Sequence, residues 1–170
     1  MNFALLIARL LHIVPGVFWA GTMIFNATFL GPSLRDAGPN AGPVMANLIN
    51  RRMLDIIPVA AALNLLSGFW LYWHASLGFS AAYMSSGPGM TYGAGLILAL
   101  TAFGVGMLIV RPSMLGAFAR GKAMQTAVDA DKQRLMAEIQ ALRMRAGKAG
   151  QAVAWLLGTT VVAMAISRYL

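Results

Sequence analysis

Cysteine is absent from the 170 residues, so the chain has neither disulfide bonds nor thiolate metal sites. Charge is scarce as well: charged residues make up 11% of the sequence, whereas soluble domains average roughly 25%. Acidic residues are the rarest, 5 against 13 basic ones, which gives a formal net charge of +8. Hydrophobic residues reach 59% and the mean hydropathy is +0.69. This composition indicates an integral membrane protein, with the lipid bilayer rather than nucleic acid as its partner.

Four apolar segments are long enough to cross a bilayer, which takes about 20 residues. They cover residues 3–30, 56–75, 92–110 and 149–167, and together they predict one all-α domain over residues 1–170, a four-helix transmembrane bundle. The segments 31–55 and 111–148 hold three and eight basic residues, whereas 76–91 holds no charge. The positive-inside rule therefore predicts both termini outside and 111–148 in the cytoplasm, in a bacterial cytoplasmic (inner) membrane.

The basic segment 111–148 is helical in character from Met114 to Lys148, with no proline. Two interpretations are open. The segment extends the third or fourth helix into the cytoplasm, with its polar faces solvated. Alternatively it is an interfacial helix that contacts anionic lipid, or a docking helix for a larger membrane complex or a second copy of the chain.

Polar residues inside a lipid-spanning helix are costly and usually have a task, which draws attention to ARLLHIVPGVFWAGTMIF at residues 8–25. His12 and His74 are the only histidines, and the predicted topology places them in the same outer leaflet. Imidazoles ligate haem iron, and arginines pair with carboxylates such as the haem propionates. We therefore predict a haem b site with His12 and His74 as axial ligands and Arg9 and Arg168 as propionate partners.

Simpler roles are open for each of these residues. His12 can serve in an interhelical hydrogen bond, and His74 lies in LYWHASLGF, a composition typical of interfacial anchors. Arg9 and Arg168 can extend their charges towards the membrane surface. Copper is the alternative cofactor, held by His12 with Met84 or Met90, since thioether is a soft ligand. Asn26, Asn64 and Thr101 are expected to make interhelical hydrogen bonds.

The segment LLHIVPGVFWAGTMIF resembles the first helix of the CopD-like superfamily, with a histidine followed seven residues later by tryptophan and then glycine. INRRMLDIIPVAAALNLLSGFWLYW is similar to the second-helix region of its HemJ-type protoporphyrinogen oxidases, and YWHASLGFSAAYMSSGPG to that of small four-helix relatives. The resemblance covers residues 5 to about 110 and implies a haem b role for His12. The HemJ type has a lysine in its third helix, whereas residues 92–110 carry no charge, which argues against that oxidase activity.

The first functional hypothesis is thus a membrane haem b protein for electron transfer or a redox function near the outer leaflet. A protein with two histidine ligands would transfer electrons, whereas one with a single histidine ligand has a position open for small-molecule chemistry, so enzymatic activity is left undecided. The alternative is a non-enzymatic accessory or assembly subunit of a larger membrane complex. Copper handling is the third hypothesis.

Overall fold

The computed structural model describes residues 2–170, apart from the side chain of Pro39, and this part of the chain is all-helical, without strands. Four of its helices are long and apolar enough to cross a membrane: α1 (Phe3–Asp36), α3 (Met53–Ala75), α5 (Gly87–Met124) and α6 (Asp129–Tyr169). Two short helices lie in the connections, α2 (Ala41–Asn50) and α4 (Ala81–Met84). The predicted all-α class with four potential transmembrane helices is confirmed. Met1, the first residue of the predicted domain, lies outside the described residues.

The basic segment 111–148 is a helical hairpin formed by the ends of the two longest helices. α5 continues to Met124, and α6 begins at Asp129 after a short turn. Gly116 lies against Leu142, and Arg120 bonds Glu138, so the two helices run antiparallel. The segment therefore extends both the third and the fourth apolar helix and does not form a separate helix.

Wide turns interrupt α1 and α5 at matching places. The stretches Asn26–Leu30 and Gly106–Val110 are π-helical, and each is followed one residue later by a proline, Pro32 or Pro112. A proline inside an α-helix lacks the N–H donor, and its ring collides with the carbonyl four residues earlier. The extra residue of a π-turn relieves that collision, so both helices continue past their prolines.

The core is built from residues of all four long helices. Its buried members are small or branched side chains around one tryptophan, Trp19, Ala20, Met23, Ala61, Leu65, Ala99, Ala102, Val153 and Leu157. The Trp19 ring meets Phe103 of α5 edge-on, with centroids 6.4 Å apart. Small residues let the helix backbones approach closely, which drives helix association where lipid surrounds the bundle. Large apolar residues such as Leu66, Leu108 and Trp155 point outward, more than two-thirds exposed.

Arg111 joins α5 to the start of α3 by a hydrogen bond to a carbonyl that Pro58 leaves without its helical donor. Pro58 has no N–H, so the carbonyl of Leu54, four residues earlier, loses its usual helical donor. The Arg111 Nε donates to that carbonyl at 3.1 Å, and its guanidinium also donates to the Asp55 carboxylate at 2.8 Å. A helix carbonyl left without a donor inside a membrane protein is costly, so this contact compensates for the proline.

Candidate functional site

His12 lies on the face of α1 that meets α3, half-buried against Asn64. Its ring Nδ1 is 2.9 Å from the backbone carbonyl oxygen of Asn64. The Asn64 side-chain amide donates to the backbone carbonyl of His12 at 2.6 Å and lies 3.1 Å from Nδ1. Asn64 is 9% exposed, so its polar atoms depend on these contacts. Of the three residues predicted to bond between helices, Asn64 does so.

Two glycines make room for this pair. The His12 ring lies over Gly68, where an added Cβ would be 2.7 Å from Cε1 and 2.8 Å from Nδ1. The Asn64 side chain lies over Gly16 so closely that a Cβ there would overlap the amide nitrogen. His12 and Gly16 are four residues apart on α1, as Asn64 and Gly68 are on α3. Each helix thus presents one polar side chain and one glycine. Because the helices run antiparallel, the polar side chain of each one packs over the glycine of the other.

The hydrogen bonds of His12 depend on which imidazole nitrogen carries the proton. A carbonyl oxygen only accepts, so the 2.9 Å contact with the Asn64 carbonyl is a hydrogen bond when the proton is on Nδ1, and Nε2 then has an unshared electron pair. When the proton is on Nε2, Nδ1 instead accepts from the Asn64 side-chain amide at 3.1 Å. Nε2 has no hydrogen-bond partner in residues 2–170, and it is not fully buried, because every fully buried side-chain N or O atom there has one. Metal-ligating histidines commonly have this arrangement, with one ring nitrogen bonded to a carbonyl and the other free.

An apolar groove runs beside His12 on the outer face of α1 and α3. It is shallow and open, with a volume of about 420 Å³, and His12 itself does not line it. The lining residues are Ala4, Ile7, Ala8, Leu11, Leu63, Leu66, Ser67 and Trp70. Ala8 and Leu11 lie one turn before His12 and directly before it, and Ser67 directly precedes Gly68. Its walls are almost entirely apolar, which suits a hydrophobic group, and His12 adjoins its lining along α1.

His74 has different neighbours. It is exposed at the end of α3, and its ring stacks parallel on Trp70, with centroids 5.5 Å apart and 4° between the planes. Gly68, which faces His12, lies six residues earlier, about 9 Å along the helix axis. No hydrogen bond or ring contact joins the two histidines in the described part of the chain. The structure therefore does not bring them together.

The two arginines predicted for haem propionates are both exposed, and neither has an acidic partner within residues 2–170. Arg9 follows Ala8, at the edge of the groove beside His12. Arg168, near the end of α6, places its guanidinium over the Tyr169 ring at 4.8 Å. Arg9 is thus close in the chain to His12, whereas Arg168 contacts the aromatic ring next to it.

The copper alternative gains no support from side-chain grouping. Met84 and Met90 are 43% and 59% exposed, on α4 and at the start of α5. Nowhere in the described chain do three or more His, Asp or Glu side chains converge.

Sequence reasoning identified Gly16 and Gly68 only as small residues that allow close helix approach, without linking them to His12 and Asn64, and it misjudged Thr101. Thr101 donates to the Ile97 carbonyl at 2.9 Å in its own helix, so its predicted interhelical bond is wrong. The Asn26 side chain makes no hydrogen bond within the described residues. The sequence did hold one usable signal, since His12–Gly16 and Asn64–Gly68 share a spacing of four residues. Comparisons with protein-family models, curated proteins and solved structures find no match for the chain.

Proposed function

We propose that His12 is an axial ligand of haem b seated in the groove between α1 and α3, in a membrane protein with a redox function. The observation that carries this proposal is the contact of His12 Nδ1 with the Asn64 carbonyl, which leaves Nε2 free to ligate a metal when Nδ1 carries the proton. An imidazole oriented in this way is a better ligand, because the bonded nitrogen fixes the ring and raises its basicity. Bound haem would supply one-electron chemistry.

The protein residues would have distinct tasks. Asn64 would orient the imidazole, Gly68 leaves room for the ring, and the groove would offer an apolar surface to the macrocycle. Arg9, one residue from the groove lining, is the first candidate to pair with a propionate, and Arg168 is the second. His74 stacks on Trp70 away from His12, which favours His12 as the single histidine ligand. Such a site leaves one coordination position open.

The remaining expectations are proposals that rest on the sequence. We propose that the hairpin of α5 and α6 lies in the cytoplasm and both termini outside, in a bacterial inner membrane, on the distribution of basic residues. We also propose a distant relation to the CopD-like superfamily, including its HemJ type, on the motifs of the first two helices. With this topology, His12 would lie in the outer half of the bilayer.

A second function has one observation in its favour. Every buried side-chain polar atom in residues 2–170 has a hydrogen-bond partner, so the His12–Asn64 pair is complete as a packing device. Under this alternative the protein is an accessory or assembly subunit of a larger membrane complex, and His12 only joins two helices. Copper handling through His12 and Met84 or Met90 is the third proposal, without a supporting contact.

Optical spectra of the protein in mild detergent, purified from cells supplied with haem, test the proposal. We expect a b-type spectrum that sharpens on reduction, is lost in His12→Ala and persists in His74→Ala. His12→Gly with added imidazole should recover the spectrum, since free imidazole can occupy the vacated place; this control separates lost ligation from lost folding. Colourless wild-type protein, or a full spectrum in His12→Ala, would contradict the proposal and favour the accessory subunit.

A further inference from the structure

The acidic residues of the chain are almost all used in ion pairs. Four of the five acidic side chains pair with an arginine or lysine. One pair, Asp55–Arg111, joins α3 to α5, and the other three lie in the hairpin beyond residue 115. They are Glu138 with Arg120, Asp129 with Lys132 and Asp131 with Arg134. The outer end of the hairpin is therefore nearly neutral, because its basic groups apart from Lys122, which lies over the Phe118 ring, have acidic partners within the protein.

Apart from Arg111, five basic residues close to the apolar spans have no such partners. Arg51, Arg52, Arg143, Arg145 and Lys148 are exposed, and none pairs with an acidic side chain within residues 2–170. We name these five residues the basic collar. Two of them directly precede α3, and three lie on α6 just before its apolar part begins at residue 149.

The contacts place both parts of the collar at one level of the bundle. Along the hairpin, Arg120 meets Glu138 and Gly116 meets Leu142, so the same register brings Arg111 beside residue 147. Arg111 in turn bonds Leu54 and Asp55, which closely follow Arg52. Lys148 and Arg52 thus lie within about one helical turn of the Arg111 level, and Arg143 is about 7.5 Å further along α6.

We propose that the basic collar binds the headgroups of anionic phospholipids. The collar flanks the apolar parts of α3 and α6, where the headgroup layer of a bilayer begins. Exposed cations without acidic partners in the protein take their counter-charge from outside it, and phospholipid phosphates are the anions at that depth. Guanidinium groups, four of the five here, match phosphate geometry with paired N–H donors. Basic groups at this level strengthen the binding of anionic lipid about fivefold each.

Lipid competition tests the collar. Purified protein in neutral detergent is mixed with equal amounts of phosphatidylglycerol and phosphatidylcholine that have the same acyl chains, and bound lipid is counted by native mass spectrometry. We expect the wild type to retain phosphatidylglycerol over phosphatidylcholine by about fivefold or more. The double variant R145Q/K148Q removes two of the five groups and should lower this preference several-fold. The matched control K132Q/R134Q removes the same charge from the outer hairpin and should keep it.

Three results would overturn the proposal. The first is that the wild type retains the two lipids equally. The second is that both double variants lose the preference to the same extent. The third is that soluble glycerol phosphate displaces the lipid at equal concentration. The last result would mean that the collar recognises phosphate without a membrane. If R145Q/K148Q does not fold, added salt replaces it as a test: the wild-type preference must fall as sodium chloride is raised, because the contact is electrostatic and exposed.

Discussion

His12 and Asn64 hold each other across the contact of α1 with α3, ring nitrogen to backbone carbonyl in one direction and side-chain amide to backbone carbonyl in the other. Both contacts are hydrogen bonds to neutral backbone carbonyls, so neither requires a charged group. The pair therefore fixes both the orientation of an imidazole and the register of two helices within the bundle.

Asn64→Ala should leave the His12 ring in place but hold its orientation less firmly. The variant loses the 2.6 Å bond to the His12 backbone, while the Asn64 backbone carbonyl remains. Interhelical hydrogen bonds in membrane proteins contribute about 0.6 kcal/mol on average and at most about 1.7 kcal/mol. We expect a loss of stability in this range by thermal unfolding in detergent, together with weaker haem retention. A variant as stable as the wild type, with its haem spectrum intact, would show that Asn64 has no orienting task.

Gly68→Ala should disturb the site more than any glycine substitution in open space. The added methyl group would lie 2.7 Å from the His12 ring, so the ring or the helix must move. Overpacking of this kind costs about 1–3 kcal/mol. Gly158→Ala is the matched control, because no atom lies within 4 Å of its added Cβ. In that variant the better helix propensity of alanine should stabilise the fold by about 0.5–1 kcal/mol. Equal unfolding temperatures for the two variants would contradict the close contact of Gly68 with His12.

Arg111→Gln should destabilise the contact of α5 with α3, and the loss should depend on Pro58. The ion pair with Asp55 is partly exposed and contributes about 0.2–1 kcal/mol at most. The bond to the Leu54 carbonyl matters because the proline provides no N–H for that oxygen. Pro58→Ala restores the N–H, so Arg111→Gln should cost less in that background. A double-mutant cycle of unfolding free energies measures the difference, and strictly additive effects would refute the compensation.

The hairpin should open at acid pH through Glu138. The hydrogen bond from Arg120, supported by the charges of Arg120 and Arg134, lowers the pKa of Glu138 below its usual value. A lowered carboxyl pKa means that the bond stabilises the hairpin fully above the unfolded-state pKa of about 4.3. That contribution is lost as the pH falls through the folded-state pKa.

Hydrogen–deuterium exchange of the outer hairpin, corrected for intrinsic rates, measures this opening between neutral pH and about pH 3. We expect exchange to rise at the acid end in the wild type. Glu138→Gln should exchange faster at neutral pH and respond less to acid, whereas Asp36→Asn, at a residue without an ion pair in the described chain, should behave as the wild type. An unchanged acid response in Glu138→Gln would exclude Glu138 as its cause.

The four helices were predictable because length and apolarity alone decide whether a segment can cross a bilayer. Their ends were not, since the polar segment 111–148 has no apolar run, and its hairpin combines scattered buried residues such as Ile139 with the ion pair between Arg120 and Glu138. A proline normally predicts the end of a helix, but α1 continues past Pro32 because a π-turn precedes it.

The candidate site was predictable only in part. His12 stands out as an imidazole in an apolar helix, but its partners depend on how α1 and α3 align, and composition does not determine that alignment. Thr101 shows the same limit: a hydroxyl in a helix can bond its own backbone, and only the position of the neighbouring helix decides between the two choices.

Because His12 lies over Gly68 and Asn64 lies over Gly16, α1 cannot slide along α3 without losing this fit. If α1 moved by one turn in one direction, His12 would meet Asn64 in place of Gly68, and two large polar side chains would collide. In the other direction Gly16 would face Gly68, which leaves a void and separates His12 from its carbonyl. The two helices therefore fit in a single register, in which each polar side chain lies over a glycine of the other helix.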